Sequence, residues 1–475
     1  MSAGGIVTTL GVYLGALLLI GWLANRGASR TPDEYFLAGR KLGLIVLFMA
    51  LFGTNATAFV FIGVPGLAYH DGIGVFSANA PIVALCTPLS FVLIGVPARR
   101  MAIRLGACTP AELYSRRFAS PLLGVLLFLA FTIYTVPYMV SAVVGASLTL
   151  ESMSGGAIPP WAGGLAVVGV AVVYTSLGGM RATAWTNVFQ GVLFLGFLLL
   201  AFLLISSDLG GLGQAMRSVL EKDGSLLALE REGSFAFRPW LSWSLVISLT
   251  VIAFPHMFVR LMSARDESSI KGVCRLYPIG LLALWLPPVL IGVWGASEFP
   301  GLVGKESDQI FLSMIDAHLP SALGVLGMIA VLAAVMSSLD AMILTLSSML
   351  VRDVLDPLRG RPEADVAWAR WFCVAISVVV YTLALWRPAS IFDIAKVAFS
   401  GYVTLTPLLF LGVNWRRMTR QGAIASVVIG NLVLVAGLAG WIPTAGFLPV
   451  FWALLAALLA ALAVSAVTEP GSIPA

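Results

Sequence analysis

An all-α membrane protein of about thirteen transmembrane helices is what this sequence predicts. Three observations carry that expectation. Of 475 residues, 59% are hydrophobic and 11% are charged, against roughly 25% charge in soluble proteins. The mean hydropathy is +0.97. Apolar runs long enough to cross a bilayer, about 20 residues each, recur from residue 4 to residue 467. A soluble enzyme, a nucleic-acid binder and a disordered chain are excluded, because none could hold so much apolar surface against water.

The spans are read at 4–24, 43–69, 75–97, 119–149, 161–179, 185–206, 241–263, 273–296, 321–351, 367–386, 390–412, 420–440 and 446–467. They are numbered span 0 to span 12. Span 0 has no basic residues before it and too long an apolar run for a cleavable signal peptide. Lys and Arg collect on the cytoplasmic side of membrane proteins. With the N-terminus outside, 21 of the 28 basic residues fall in inside loops. Arg217, Lys222, Arg231, Arg238, Lys305 and Arg387 fall outside, and Lys396 lies within span 10. The expected topology is therefore N-terminus out and C-terminus cytoplasmic, in the plasma (inner) membrane. The longest loop, 207–240, is too short for a domain. Cys86, Cys108, Cys274 and Cys373 are far apart without metal-ligand spacing, so no disulfide is expected.

Spans 1–5 cover 43–206 and spans 6–10 cover 241–413, two five-helix units of similar length. Five is odd, so the units would lie inverted in the membrane, with spans 11 and 12 (420–467) appended. Inverted repeats place substrates at discontinuous helices in matching positions. Spans 1 and 6 match, and each carries a polar interruption: Phe52-Gly53-Thr54-Asn55-Ala56-Thr57 and Phe254-Pro255-His256. Pro255 lacks an N–H and frees a carbonyl one turn back. Such backbone is tolerated at membrane depth only inside protein or facing a cavity. The plainer alternative is that Gly53 permits close packing and Pro255 only kinks its helix.

Five motifs then occur in order. Asp33-Glu34-Tyr35-Phe36-Leu37-Ala38-Gly39-Arg40 leads into span 1, and Gly63-Val64-Pro65-Gly66-Leu67-Ala68-Tyr69 leaves it. Gly178-Gly179-Met180-Arg181-Ala182-Thr183-Ala184-Trp185-Thr186-Asn187 joins spans 4 and 5. Met336-Ser337-Ser338-Leu339-Asp340 lies on span 8, and Asn414-Trp415-Arg416-Arg417-Met418-Thr419 follows span 10. Together they resemble the sodium:solute symporter family, over about 31–435. The resemblance implies a LeuT-type core in spans 1–10 and a Na⁺ site between spans 1 and 8. Carried over by position, its ligands are the carbonyls of Gly53, Ala56 and Ala334 and the hydroxyls of Ser337 and Ser338. Ala334, Ser337 and Ser338 share a helix face, although membrane serines also simply pack helices.

Other polar residues extend the reading. Asp340 is an intramembrane charge and so a functional candidate, adding field to the ion site or pairing with a basic group at the inner mouth. Asn187 stands where many members have Asp, which argues for one Na⁺ per cycle. Thr54, Asn55 and Thr57 could hydrogen-bond a small polar solute, or only satisfy the broken backbone. Phe59, Val60, Ile247 and Val251 make an apolar wall, unlike the polar pair of sugar-transporting relatives. His256 can donate to a carboxylate or carry a proton, and Pro-His-x-x-x-Arg resembles the monocarboxylate branches. Arg260 is expected at the inner interface, paired or snorkelling. Tyr134 and Tyr138 on span 3 and Tyr402 and Thr404 on span 10 are pocket, gate or packing residues. Trp240 and Trp243 read as interfacial anchors. Asp393 and Lys396 are spaced to pair.

The expectation is a Na⁺-coupled symporter importing a small organic solute, favouring a short monocarboxylate or a proline-like compound. It would work as a monomer in the lipid bilayer, with Na⁺ as coupling ion, no organic cofactor and no nucleic acid. One alternative is a proton-coupled or uncoupled carrier using His256 or Asp340. Another is a membrane sensor, disfavoured because no signalling domain follows span 12. A membrane enzyme is disfavoured for want of a nucleophile, metal or carboxylate-pair constellation.

Overall fold

The computed structural model describes residues 3–26, 31–228, 236–359, 366–386 and 389–469. Among these, the one β-type pairing is an isolated bridge between Leu42 and Ala264, and nearly everything else is helix. Ten helices are long and apolar enough to cross a membrane, and two bent helix pairs would bring the number to twelve. The chain is an integral membrane protein. Arg231 and Arg387, two of the outside charges counted above, lie outside the described residues.

The count differs from thirteen for one physical reason. The stretches expected as spans 4 and 5 follow one another without a loop in the 49 residues Pro160–Asp208, two helices joined across a kink. At 1.5 Å per residue one straight helix of that length would be about 74 Å long, over twice the hydrocarbon thickness. The kink lies at Gly179, where φ is 57° and ψ is −152°. A Cβ at Gly179 would sit 2.5 Å from the Tyr35 carbonyl oxygen, so backbone from the first motif passes directly against it. Only glycine takes that conformation without strain.

Both expected breaks are present. Leu44–Asn55 bends by 52° into Phe59–Asp71, and Phe237–Ala253 bends by 47° into Pro255–Met262. Pro255 dictates the second, since the residue before a proline is pushed out of the α region; Phe254 has φ −63° and ψ 119°. No proline marks the first. There Ala56 turns extended, with φ −83° and ψ 110°. The Thr57 hydroxyl then accepts the Phe59 N–H at 3.0 Å, and so restarts the helix as a cap would.

Ser321–Met349 is the buried axis. Its side chains are enclosed from Gly327 to Met349, and it packs on Pro160–Asp208, Pro121–Met153, Leu44–Asn55 and Pro255–Met262. Span 0 lies against Pro160–Asp208 and turns Val12, Leu19 and Trp22 outward. The motifs prove to be junctions. Glu34 pairs with Arg181 at 3.5 Å, and the Tyr35 hydroxyl donates to the Ser176 carbonyl at 3.0 Å, so the first motif meets the third. Arg40 donates to the Ala107 carbonyl at 2.8 Å. Asn414 donates to the Leu93 carbonyl at 2.8 Å.

Smaller expectations divide. All four cysteines are free thiols, and burial pushes the Cys108 thiol up to about 11. Asp393 does not pair with Lys396: its carboxylate accepts from the Ser390 hydroxyl at 2.7 Å, and its N–H returns the bond at the helix start.

One close crossing tests this packing. A Cβ at Gly292 would lie 2.3 Å from the Pro65 carbonyl oxygen. Gly292→Val is expected to cost about 1–3 kcal/mol through overpacking and to lower the melting temperature in detergent. Gly169→Ala, which meets open space, should leave it unchanged or raised.

Candidate cation and solute site

The break in span 1 creates the site. A helix end leaves its last carbonyls without intrahelical donors. Here the Phe52 carbonyl is taken by the Ala56 N–H at 3.2 Å. The carbonyls of Gly53, Thr54 and Ala56 are met instead by two side chains of span 8. Ser337 Oγ lies 2.8 Å from the carbonyls of Gly53 and Ala334. Ser338 Oγ lies 2.9 Å from the Ala56 carbonyl, 3.0 Å from that of Thr54 and 3.2 Å from that of Ala334. All five residues named by position thus converge, with Thr54 contributing a further carbonyl. The group is buried, uncharged and made only of oxygens. Such a donor set suits a small, hard monovalent cation. Among the described residues no group of three or more His, Cys, Asp or Glu could hold a metal.

Asn187 locks a third helix to this cluster. Its Nδ2 donates to the Ser337 carbonyl at 3.0 Å and lies 3.3 Å from Thr54 Oγ1. Thr54 Oγ1 itself donates to the Ala50 carbonyl at 2.6 Å. The Thr54 side chain therefore faces span 5, apart from the aromatic wall described next. Asn55 faces Tyr277 of span 7.

Thr57 does join that wall, through the Tyr138 hydroxyl at 3.4 Å. Phe254, the residue at the span 6 break, is its centre. Its ring lies 5.0 Å from Tyr402, 5.4 Å from Tyr138 and 5.5 Å from Phe399. Phe59 lies 5.0 Å from Phe399 and 5.3 Å from Phe392. His256 stacks on Phe254 at 5.1 Å, and both of its buried ring nitrogens lack a hydrogen-bond partner. Tyr402 shares a 2.5 Å hydrogen bond with Thr135, and Tyr134 bonds Asn431. Val60, Ile247 and Val251 are buried nearby in sequence to these rings. The wall brings together both broken spans with spans 3 and 10.

Four residues are placed where the sequence pattern did not put them. Trp243 is no interfacial anchor. It is buried, its indole N–H donates to Asn79 Oδ1 at 2.9 Å, and its ring faces Phe392 at 5.4 Å. The signal was available, since positions 243, 247, 251 and 254 share one helix face. Phe392 and Phe399 were likewise passed over. Arg260 is not at an interface: it is fully buried beside Asp340, with 4.0 Å between Nη2 and Oδ1. Asp340 also accepts from the Tyr174 hydroxyl at 3.0 Å and that of Thr186 at 3.4 Å.

Comparison with known proteins gives the family and the fold. A family model described as the sodium:solute symporter family matches residues 35–430. The sodium/pantothenate symporter of Escherichia coli is 29% identical over 92% of this chain and 91% of its own. The sodium/proline symporter of the same organism is 25% identical over 94% and 90%, and the osmoregulated proline transporter of Bacillus subtilis is 27% identical over 98% and 95%. Among solved structures, a substrate-bound, outward-open Na⁺-coupled sialic acid symporter superposes with a TM-score of 0.82 over 99% of both chains, at 18% identity. That likeness carries the fold, a LeuT-type core. With the family model spanning most of its length, the chain belongs to the sodium:solute symporter family.

Proposed function

We propose that the protein is a Na⁺-coupled secondary active symporter that imports a small organic solute by alternating access. The observation that carries this is the meeting of the Ser337 and Ser338 hydroxyls with the carbonyls freed at the span 1 break. Na⁺ is written here as co-transported cargo. Gly53, Ala56, Ala334, Ser337 and Ser338 would replace its water. The ion would tie the broken segment to span 8, and so order Thr57 and Phe59 where the solute binds. A ligand shifts a conformational equilibrium only by binding one state better, and a site split between two elements does that when they part. The relatives' coupling to sodium, in their names, supports the choice of ion.

The solute would lie against Phe59, Phe254, Phe399, Trp243, Tyr138 and Tyr402. The wall is aromatic with hydroxyl edges. It suits a compact solute with one polar end, such as a short monocarboxylate or a proline-like compound, with His256 as a donor at the rim. The charge count supports an N-terminus outside and a C-terminus in the cytoplasm. Inward Na⁺ then gains about 2.3 kcal/mol per 100 mV of membrane potential.

Uptake in proteoliposomes tests the reading. Labelled acetate, pyruvate, lactate, proline, pantothenate and glucose would be offered with and without an inward Na⁺ gradient. One solute accumulating only with Na⁺ is the expected result. Uptake driven equally by a proton gradient alone would move the coupling to His256 or Asp340. Ser337→Ala is expected to raise the Na⁺ concentration for half-maximal uptake about tenfold, the effect of roughly 1.4 kcal/mol of lost ligation; an unchanged value would remove the site. Trp243→Ala should raise the solute KM several-fold while the Na⁺ dependence at saturating solute stays in place. A shift in Na⁺ dependence alone would exclude Trp243 from the solute wall.

A further inference from the structure

The buried Asp340 carboxylate, one turn along span 8 from Ser337, meets side chains of spans 4, 5 and 6. Tyr174 and Thr186 donate to Oδ2. Oδ1 has no hydrogen-bond partner, and its neighbour is the Arg260 guanidinium at 4.0 Å. Arg260 is fully buried, and Nε, Nη1 and Nη2 all lack a hydrogen-bond partner. Asn187 Oδ1, on the residue after Thr186, is also without a partner.

The rest of the molecule shows how arginine behaves when it serves as a brace. Arg352 reaches both carboxylate oxygens of Glu112, at 2.6 and 3.3 Å. Arg100 does the same to Glu267, at 2.5 and 2.6 Å. Paired forks of this kind fix two elements in one geometry. Arg260 makes no such fork. It supplies a positive charge to Asp340 without fastening span 6 to span 8. The oxygen that faces the guanidinium is Asp340 Oδ1, while the Tyr174 and Thr186 hydroxyls hold the carboxylate's other oxygen.

We propose that Arg260 is a tethered cation: its guanidinium stands in for a second Na⁺ at Asp340, so that this carrier binds one Na⁺ per cycle. The proposal rests on the symport reading above and deepens it to stoichiometry. With Asp340 and Arg260 cancelling and Asn187 neutral, the charge carried through the cycle is that of the single ion at Ser337 and Ser338.

Equilibrium binding of ²²Na⁺ to the purified full-length protein tests it, with melting curves to establish that each variant is folded. The wild type should bind one ion. Arg260→Gln should bind two, with the Hill coefficient of Na⁺-dependent uptake rising from 1 towards 2. The double variant Arg260→Gln with Asp340→Asn should return to one. Asp340→Asn alone leaves Arg260 uncompensated beside the ion site, and should weaken binding of the single ion about tenfold or more. This arm decides the matter if Arg260→Gln does not fold. One ion of unchanged affinity in folded Arg260→Gln would overturn the proposal, as would unchanged affinity in Asp340→Asn. No saturable binding by the wild type would overturn the symport reading instead.

Discussion

A backbone carbonyl at membrane depth must find a partner within the protein, and the interrupted first span leaves three that its own helix cannot serve. Span 8 answers with two adjacent serines. The rest of the arrangement follows from that obligation. Span 8 must run through the centre of the molecule, so it is enclosed along most of its length. Span 5 must approach closely enough for Asn187 to bond both partners. The chain beyond the break must restart as helix, which the Thr57 hydroxyl achieves. The same groups that satisfy the backbone form an oxygen cage, so folding and the proposed ion binding would draw on one set of atoms.

The two breaks are unequal in cause and complementary in consequence. At span 6 the proline forces Phe254 out of the helix, and that residue becomes the centre of the aromatic wall. At span 1 polar side chains and a capping threonine replace the proline, and the carbonyls are left open. One break therefore presents rings and the other presents oxygens. They meet where the Tyr138 hydroxyl reaches Thr57. A solute on the rings would contact the element that a bound cation would order, which is what coupling between the two requires.

Much of this was legible in the sequence. Gly53 and Pro255 marked the broken spans, and the resemblance of Met336-Ser337-Ser338-Leu339-Asp340 to the family's span 8 motif placed Ser337 and Ser338 opposite the first of them. What was less legible depended on which way a known helix faces. Trp243 near a helix end has the composition of an interfacial anchor, and only its register with Ile247 and Val251 turns it inward. Arg260, near the end of span 6, reads as an inner-interface side chain, paired or snorkelling, until span 8 brings Asp340 beside it in the buried interior. Spans 4 and 5 meet in Pro160–Asp208 without a loop, because Gly179 turns the chain within one residue. In each case the missing information was a contact between segments far apart in sequence, which local pattern does not carry.

The most direct test of the central claim, that one ion ties the broken first span to span 8, is amide hydrogen exchange on the purified protein in Na⁺ and in K⁺ at equal ionic strength. The account predicts slower exchange in Na⁺, concentrated at Ala56, Thr57 and Phe59 and at the facing turn of span 8, with lipid-facing stretches such as span 0 unchanged. Identical exchange at the break in the two salts would contradict it.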